Sequence, residues 1–105
     1  MWAQLIKTRL KPGREGDLEK LYAQLRAAEQ PGSGLVRTTA MHDQSDHLSV
    51  YMLVVFENEE QARARERDPR RQESLQEARA TMAEIFDGPP EFIDLLVDEE
   101  TTGSA

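Results

Sequence analysis

The chain has 105 residues, room for one domain with one real core. It contains no cysteine, which excludes a disulfide framework, a zinc–thiolate site, an iron–sulfur cluster and thiol catalysis. Its net charge of −7 opposes binding to phosphate backbones and to anionic membrane surfaces, so neither nucleic-acid nor membrane partners are expected. The charge is uneven: residues 1–56 carry seven basic and six acidic side chains, and residues 57–105 carry six and fourteen. No run approaches the ~18 apolar residues of a membrane span, and no basic-then-apolar leader opens the chain. A cytoplasmic protein is the expectation.

Residues 2–10 read as a first strand, ended by the turn signal Lys11-Pro12-Gly13. A helix over about 16–28 follows, because Leu18, Leu21, Tyr22 and Leu25 fall at i, i+3, i+4, i+7 on one stripe. Acids in its first turn suit the helix dipole, and Gln30-Pro31-Gly32-Ser33-Gly34 ends it. Strands over 35–42 and 47–56 flank the turn formers Asp43-Gln44-Ser45-Asp46, which predicts an antiparallel hairpin. In the second of these strands Leu48, Val50, Met52, Val54 and Phe56 share one face, while Ser49, Tyr51, Leu53 and Val55 share the other. A polar helix over 59–68 starts at the cap Asn58 and breaks at Asp68-Pro69. A second piece over 70–86 carries Leu75, Ala78, Met82, Ile85 and Phe86 on one stripe. Asp87-Gly88-Pro89-Pro90 stops it. Residues 92–97 form a last strand, apolar on both faces except Asp94, and residues 99–105 are expected to be a flexible acidic and polar tail beyond a single domain of 1–98.

The order β-α-β-β-α-β is the ferredoxin-like pattern of the α+β class: a four-stranded antiparallel sheet with two helices on one face. Helices cover only one side, yet the third and fourth strands are apolar on both. A homodimer packed sheet to sheet is the simplest cover.

The strand leading into Lys11-Pro12-Gly13, the Leu18–Leu25 stripe and the Gly34-Leu35 opening carry a resemblance, together with the passage 51–60 from strand to helix and Gly88-Pro89-Pro90-Glu91-Phe92. On these residues the chain resembles the dimeric α/β-barrel superfamily and, more narrowly, antibiotic biosynthesis monooxygenase-like domains. That resemblance implies a pocket between sheet and helices in each subunit. It also implies cofactor-independent oxidation of a small aromatic or polyketide-type molecule, with no cofactor. In cofactor-free members, Asn, Trp, Tyr and Arg side chains bind and deprotonate the substrate, whose anion reacts with oxygen. Haem-degrading relatives use an axial His on the second helix region, an Asn on the first strand and a Trp near the strand-to-helix passage. Here the first strand offers Gln4, the single Trp is Trp2, and the helix offers Arg65-Glu66-Arg67, which argues against haem.

Tyr51, His42 and Arg37 are the candidate catalytic side chains, with Trp2, Met82 and Ser49 as ligand contacts. His42 and His47 flank the hairpin turn with Asp43 and Asp46, either as a base or as solvated turn residues, since a metal site needs further convergent ligands. Tyr51 donates a hydrogen bond in a pocket or packs at an interface. Arg37 binds an anion or pairs with a carboxylate such as Asp94. Trp2 walls a pocket or packs at an interface, and Met41, Met52 and Met82 line a pocket or fill a core. Arginines 63, 65, 67, 70 and 71 form a basic cluster that is either an anion site or, as the spacing favours, a solvated face paired with Glu59, Glu60 and Glu66. The rival to an enzyme is a non-catalytic dimer that binds a small molecule or stabilises a partner. An enclosed cavity of about 300 Å³ or more with two or three converging polar groups supports catalysis or binding, and a filled core with the histidines in solvent supports the rival.

Overall fold

The computed structural model describes residues 1–104; Ala105, the last residue of the expected tail, lies outside the described residues. Strands β1 (Trp2–Arg9), β2 (Leu35–His42), β3 (Ser49–Phe56) and β4 (Glu91–Leu96) form one sheet of order β2-β3-β1-β4, every neighbouring pair antiparallel. A 3₁₀ turn (Glu15–Asp17) leads into helix α1 (Leu18–Ala28), and α2 (Glu59–Glu66), α3 (Pro69–Ser74) and α4 (Gln76–Ile85) follow β3. This is the expected ferredoxin-like architecture, with the second helical segment in three pieces.

Local chemistry explains those pieces. The Asn58 side chain accepts the Gln61 N–H at 2.8 Å and starts α2. Pro69 then forbids continuation, and Asp68 caps the restart by accepting the Arg70 N–H at 2.9 Å. Helices this short are marginal alone and are held by burial of one stripe. Ala62, Leu75, Ala78 and Ile85 supply it.

The buried side chains on the helix side fall in two clusters. Leu10, Leu21, Ala28, Val50, Leu75, Ala78 and Ile85 form one; Trp2, Val54, Phe56 and Ala62 form the other.

The face away from the helices behaves differently. Leu5, Tyr51, Leu53 and Ile93 are half-buried there, and Met41 and Leu95 are exposed. Ala3 and Val55 are nevertheless buried on it, in the row that strand pairing aligns with Arg37 and Leu95. The cause is the chain after β4. Glu100 forms an ion pair with Arg37, so residues 97–100 cross from the β4 edge to β2 over that row. The expected partner, Asp94, belongs instead to Gln4 (3.0 Å) and Arg63 (2.8 Å). It stands on the helix side of the sheet, opposite the face that carries Arg37.

Candidate functional site

Between the two buried clusters the sheet and helices enclose a cleft of about 1150 Å³. Strand alternation fixes its floor. Trp2, Gln4, Ile6 and Thr8 of β1 point into it, as do Val50, Met52, Val54 and Phe56 of β3, Thr38 and Ala40 of β2, and Phe92 and Asp94 of β4. The roof comes from α1 (Leu21, Tyr22, Leu25, Arg26, Glu29), α2 (Ala62, Arg63, Arg65, Glu66), Arg71 of α3, and Leu75, Met82 and Phe86 beyond it.

The same alternation decides the fate of the expected site residues. Trp2 and Met82 line the cleft. Tyr51 and Ser49 belong to the opposite parity of β3 and stand on the face away from the helices. Arg37 joins them because β2 carries a bulge between Leu35 and Arg37: Leu35 pairs with Phe56 and Arg37 with Val55, leaving Val36 as the extra residue. Without that insertion Leu35 and Arg37 would share a face; with it Leu35 lines the cleft and Arg37 turns outward. His42 ends β2 in solvent, and His47 is exposed in the hairpin loop. The expected convergence of Tyr51, His42 and Arg37 on the pocket therefore does not occur. The acids between the histidines are committed to the turn. Asp43 accepts the Ser45 N–H at 2.7 Å, and Asp46 accepts from Arg9 (2.9 Å) and the Ser49 hydroxyl (3.0 Å). Among the described residues no group of three or more His, Cys, Asp or Glu side chains is placed to hold a metal ion.

The polar groups that do converge come from the helices. The Arg63 guanidinium lies 5.0 Å from the Trp2 ring centre and bonds Glu59, Glu66 and Asp94, at 3.1, 3.1 and 2.8 Å. Trp2 and Phe56 sit ring to ring at 6.1 Å. Arg65 covers Phe56 at 5.2 Å and grips Glu29 at 2.6 and 3.0 Å. Burial pushes the Glu29 carboxyl up, but hydrogen bonds from Arg65 and Ser33 outweigh it and hold the group below its ordinary value. Hydrogen bonds from Gln4 and then Arg63 do the same for Asp94. Burial raises the Tyr22 phenol, which keeps its proton at neutral pH. Burial, and then the charge of Arg65, lowers Arg71 to about 10. The wall thus offers cations and one phenolic donor, while each lining acid is already engaged by an arginine.

Sequence reasoning placed Tyr22 in the core stripe and Arg65 and Arg71 on a solvated face. A signal was available: Arg65 follows Ala62 by three, and Arg71 precedes Leu75 by four, so both share the inward stripe. Arg63 does make the expected i,i+4 pair with Glu59.

A two-layer α+β domain with an apolar cleft under its helices, walled by one Trp and several Arg, defines a ferredoxin-like protein with a cleft of ligand-site size. The sequence profile of the antibiotic biosynthesis monooxygenase family matches residues 1–81, and the chain belongs to that family. Solved structures agree on the fold. SnoaB from Streptomyces nogalater, described as a cofactor-independent oxygenase, superposes with a TM-score of 0.74 at 15% identity, covering 94% of this chain and 94% of its own. A Bordetella bronchiseptica protein described as a candidate antibiotic biosynthesis monooxygenase gives 0.72 at 22% identity, covering 91% and 95%. Rv0793 from Mycobacterium tuberculosis gives 0.72 at 13%, covering 96% and 98%. No curated protein matches the chain in sequence.

Proposed function

We propose that this protein is a cofactor-independent oxygenase that takes a small aromatic or polyketide-type molecule into the helix-side cleft and works as a homodimer. One observation carries the reading: an apolar cleft of about 1150 Å³ whose wall holds four arginines, two of them, Arg26 and Arg71, without a carboxylate partner. Such a wall lowers the pKa of an acidic C–H or phenolic substrate by stabilising its anion. Tyr22 donates to a substrate oxygen, Arg65 adds the Nη1 donors that Glu29 leaves unengaged, and Trp2 and Met82 flank the ring system. Electron-rich anions of this kind pass electrons to oxygen without a metal. One oxygen atom then enters the carbon as a carbonyl, and the other leaves as water with the two hydrogens of the carbon. The half-exposed apolar face around Leu5, Tyr51, Leu53 and Ile93 supports the second copy, because a monomer leaves this patch in water. Tyr51, Arg37 and Ser49, which share that face, then belong to the subunit contact rather than to chemistry. A cytoplasmic setting completes the reading.

The test is oxygen uptake with a hydroxyanthrone and no added metal or cofactor. The expected result is one O₂ consumed per quinone formed, at a rate well above the uncatalysed one. Uptake at the uncatalysed rate by protein that binds the compound refutes catalysis. It leaves a second reading, a non-catalytic dimeric binder. That reading is favoured by the ion-paired state of every acid in the cleft, which leaves no side chain free as a base.

A further inference from the structure

Each arginine of the cleft wall can be checked for what neutralises it. Arg63 has Glu59, Glu66 and Asp94, and Arg65 has Glu29. Arg26 and Arg71 line the same cleft and have none: among the described residues neither enters an ion pair or side-chain hydrogen bond, but Arg26 is exposed to water whereas Arg71 is half-buried. The Arg71 Nε is sealed from solvent without a partner. The nearby acids are spent. Glu29 is gripped by Arg65 and by the Ser33 hydroxyl at 2.7 Å, and Glu66 bonds Arg63. The remaining neighbours, Arg65 and Arg79, are cations and push against its charge. A buried N–H without an acceptor is costly, and the two Nη nitrogens, which also lack protein partners but are not sealed, are the donors that a ligand in the cleft can reach.

We propose that Arg71 is the anchor of a carboxylate subsite in this cleft, so that the ligand is an aromatic acid rather than a neutral aromatic. The inference rests on the reading of the cleft as a ligand site and narrows it. A guanidinium offers parallel N–H donors along one edge, and a carboxylate matches them with two oxygens. Tyr22, roofing the same cleft with its phenolic proton retained, donates to a ligand oxygen. The apolar walls, Leu21, Leu25, Leu75 and Met82, accept the rings, and they enclose the ion pair where water screens it least.

Calorimetric titration of the full chain with naphthoate and with its neutral amide tests this. The acid is expected to bind at least about tenfold more tightly than the amide, as one charge-assisted bidentate pair provides. Arg71→Gln is expected to erase that preference, acid and amide then binding alike. Arg71→Lys should keep part of the preference, and Arg79→Gln, which removes one charge outside the cleft lining, should keep all of it. Equal binding of acid and amide by the parent protein overturns the carboxylate subsite and leaves the ligand cleft standing. A preference that survives in both Arg71 variants, or that falls equally in Arg79→Gln, overturns the assignment to Arg71. Binding of neither compound overturns the subsite and the cleft reading together.

Discussion

Gly34 is the position where a single methyl should tell most about how the roof of the cleft is held. It links α1 to β2 with φ +78°, a conformation that costs a residue with a Cβ about 1–2 kcal/mol. Its carbonyl accepts the Glu57 N–H at 3.0 Å, so the turn is tied to the end of β3 and has little freedom to relax. A Cβ built there lies 2.5 Å from Gln61 Cδ and Oε1 and 2.8 Å from Gln61 Cβ. The amide end could swing away, but the Cβ is fixed to the α2 backbone, so α2 itself must shift. Overpacking of this kind adds about 1–3 kcal/mol. Gly34→Ala should therefore destabilise by roughly 3 kcal/mol, which in a domain of this size lowers Tm by roughly 15 °C. Differential scanning calorimetry reads the stability. Tryptophan emission reads the site, because Trp2 is the single Trp and lies under Arg63 of the displaced helix. The double variant Gly34→Ala/Gln61→Ala removes the Cδ and Oε1 overlap, which the free amide end could relieve by itself, but keeps the Cβ contact and the backbone cost, so it should recover little of the loss. A Tm within about 3 °C of the parent for Gly34→Ala refutes the reasoning, as does a double variant that regains most of the loss.

Three further outcomes follow from the same geometry. Glu29 titrates below its ordinary value in the folded chain, so its contribution to stability is present above the unfolded value of about 4.5 and is lost as pH falls through the folded one. Glu29→Gln should lower Tm at neutral pH and flatten the acid side of the Tm–pH curve, and an acid limb as steep as the parent's would sink this. Tyr22→Phe should leave Tm within about 2 °C, since no hydrogen bond is lost, yet reduce turnover of a hydroxyanthrone by roughly tenfold or more; unchanged turnover removes Tyr22 from the site. Leu53→Asp places a charge in the middle of the uncovered sheet face and should convert a dimer of the 11.9 kDa protomer to monomer in sedimentation runs, with the cleft still binding ligand. A parent protein that sediments as a monomer at micromolar concentration refutes the sheet-to-sheet dimer outright.

The fold was legible because the periodicities were clean. The Leu18–Leu25 stripe and the alternation of Val50, Met52, Val54 and Phe56 leave few alternatives, and the turn residues mark every boundary to within two or three positions. The hairpin loop is longer than its four turn formers: Leu48 N–H bonds Asp46, and regular pairing resumes only at Ser49. Half of the site was illegible for one reason. Candidates were picked for being unusual on a strand, and a strand's chemistry divides between two faces that sequence does not label. Tyr51 sits one residue from Val50 and Met52 and lies across the sheet from the cleft they line. Arg37 was further hidden by the bulge at Val36, since an added residue leaves no mark on a run of alternating small and polar side chains.

The helices carry the opposite lesson. Their polar residues were dismissed as solvent-facing because arginine-rich stretches usually are, yet a helix stripe is set by spacing rather than by residue type. Ala62 with Arg65, and Arg71 with Leu75, lie on inward stripes. A long guanidinium on such a stripe reaches past the backbone into the cleft while its stem packs against apolar neighbours. The sheet therefore has two unequal faces. The helix side keeps a void because the charged groups of α2 and α3, needing partners, cannot close down on Ile6 and Met52 as Leu or Phe would. The far side is tied at one end by the Glu100–Arg37 pair, charged at the other by Lys7–Glu91 and Arg9–Asp46, and left apolar between, around Leu5, Leu53 and Ile93. The void and the greasy patch have one origin: a small chain that spends its arginines on the wall of a cavity and its surplus apolar residues on the face that no helix covers.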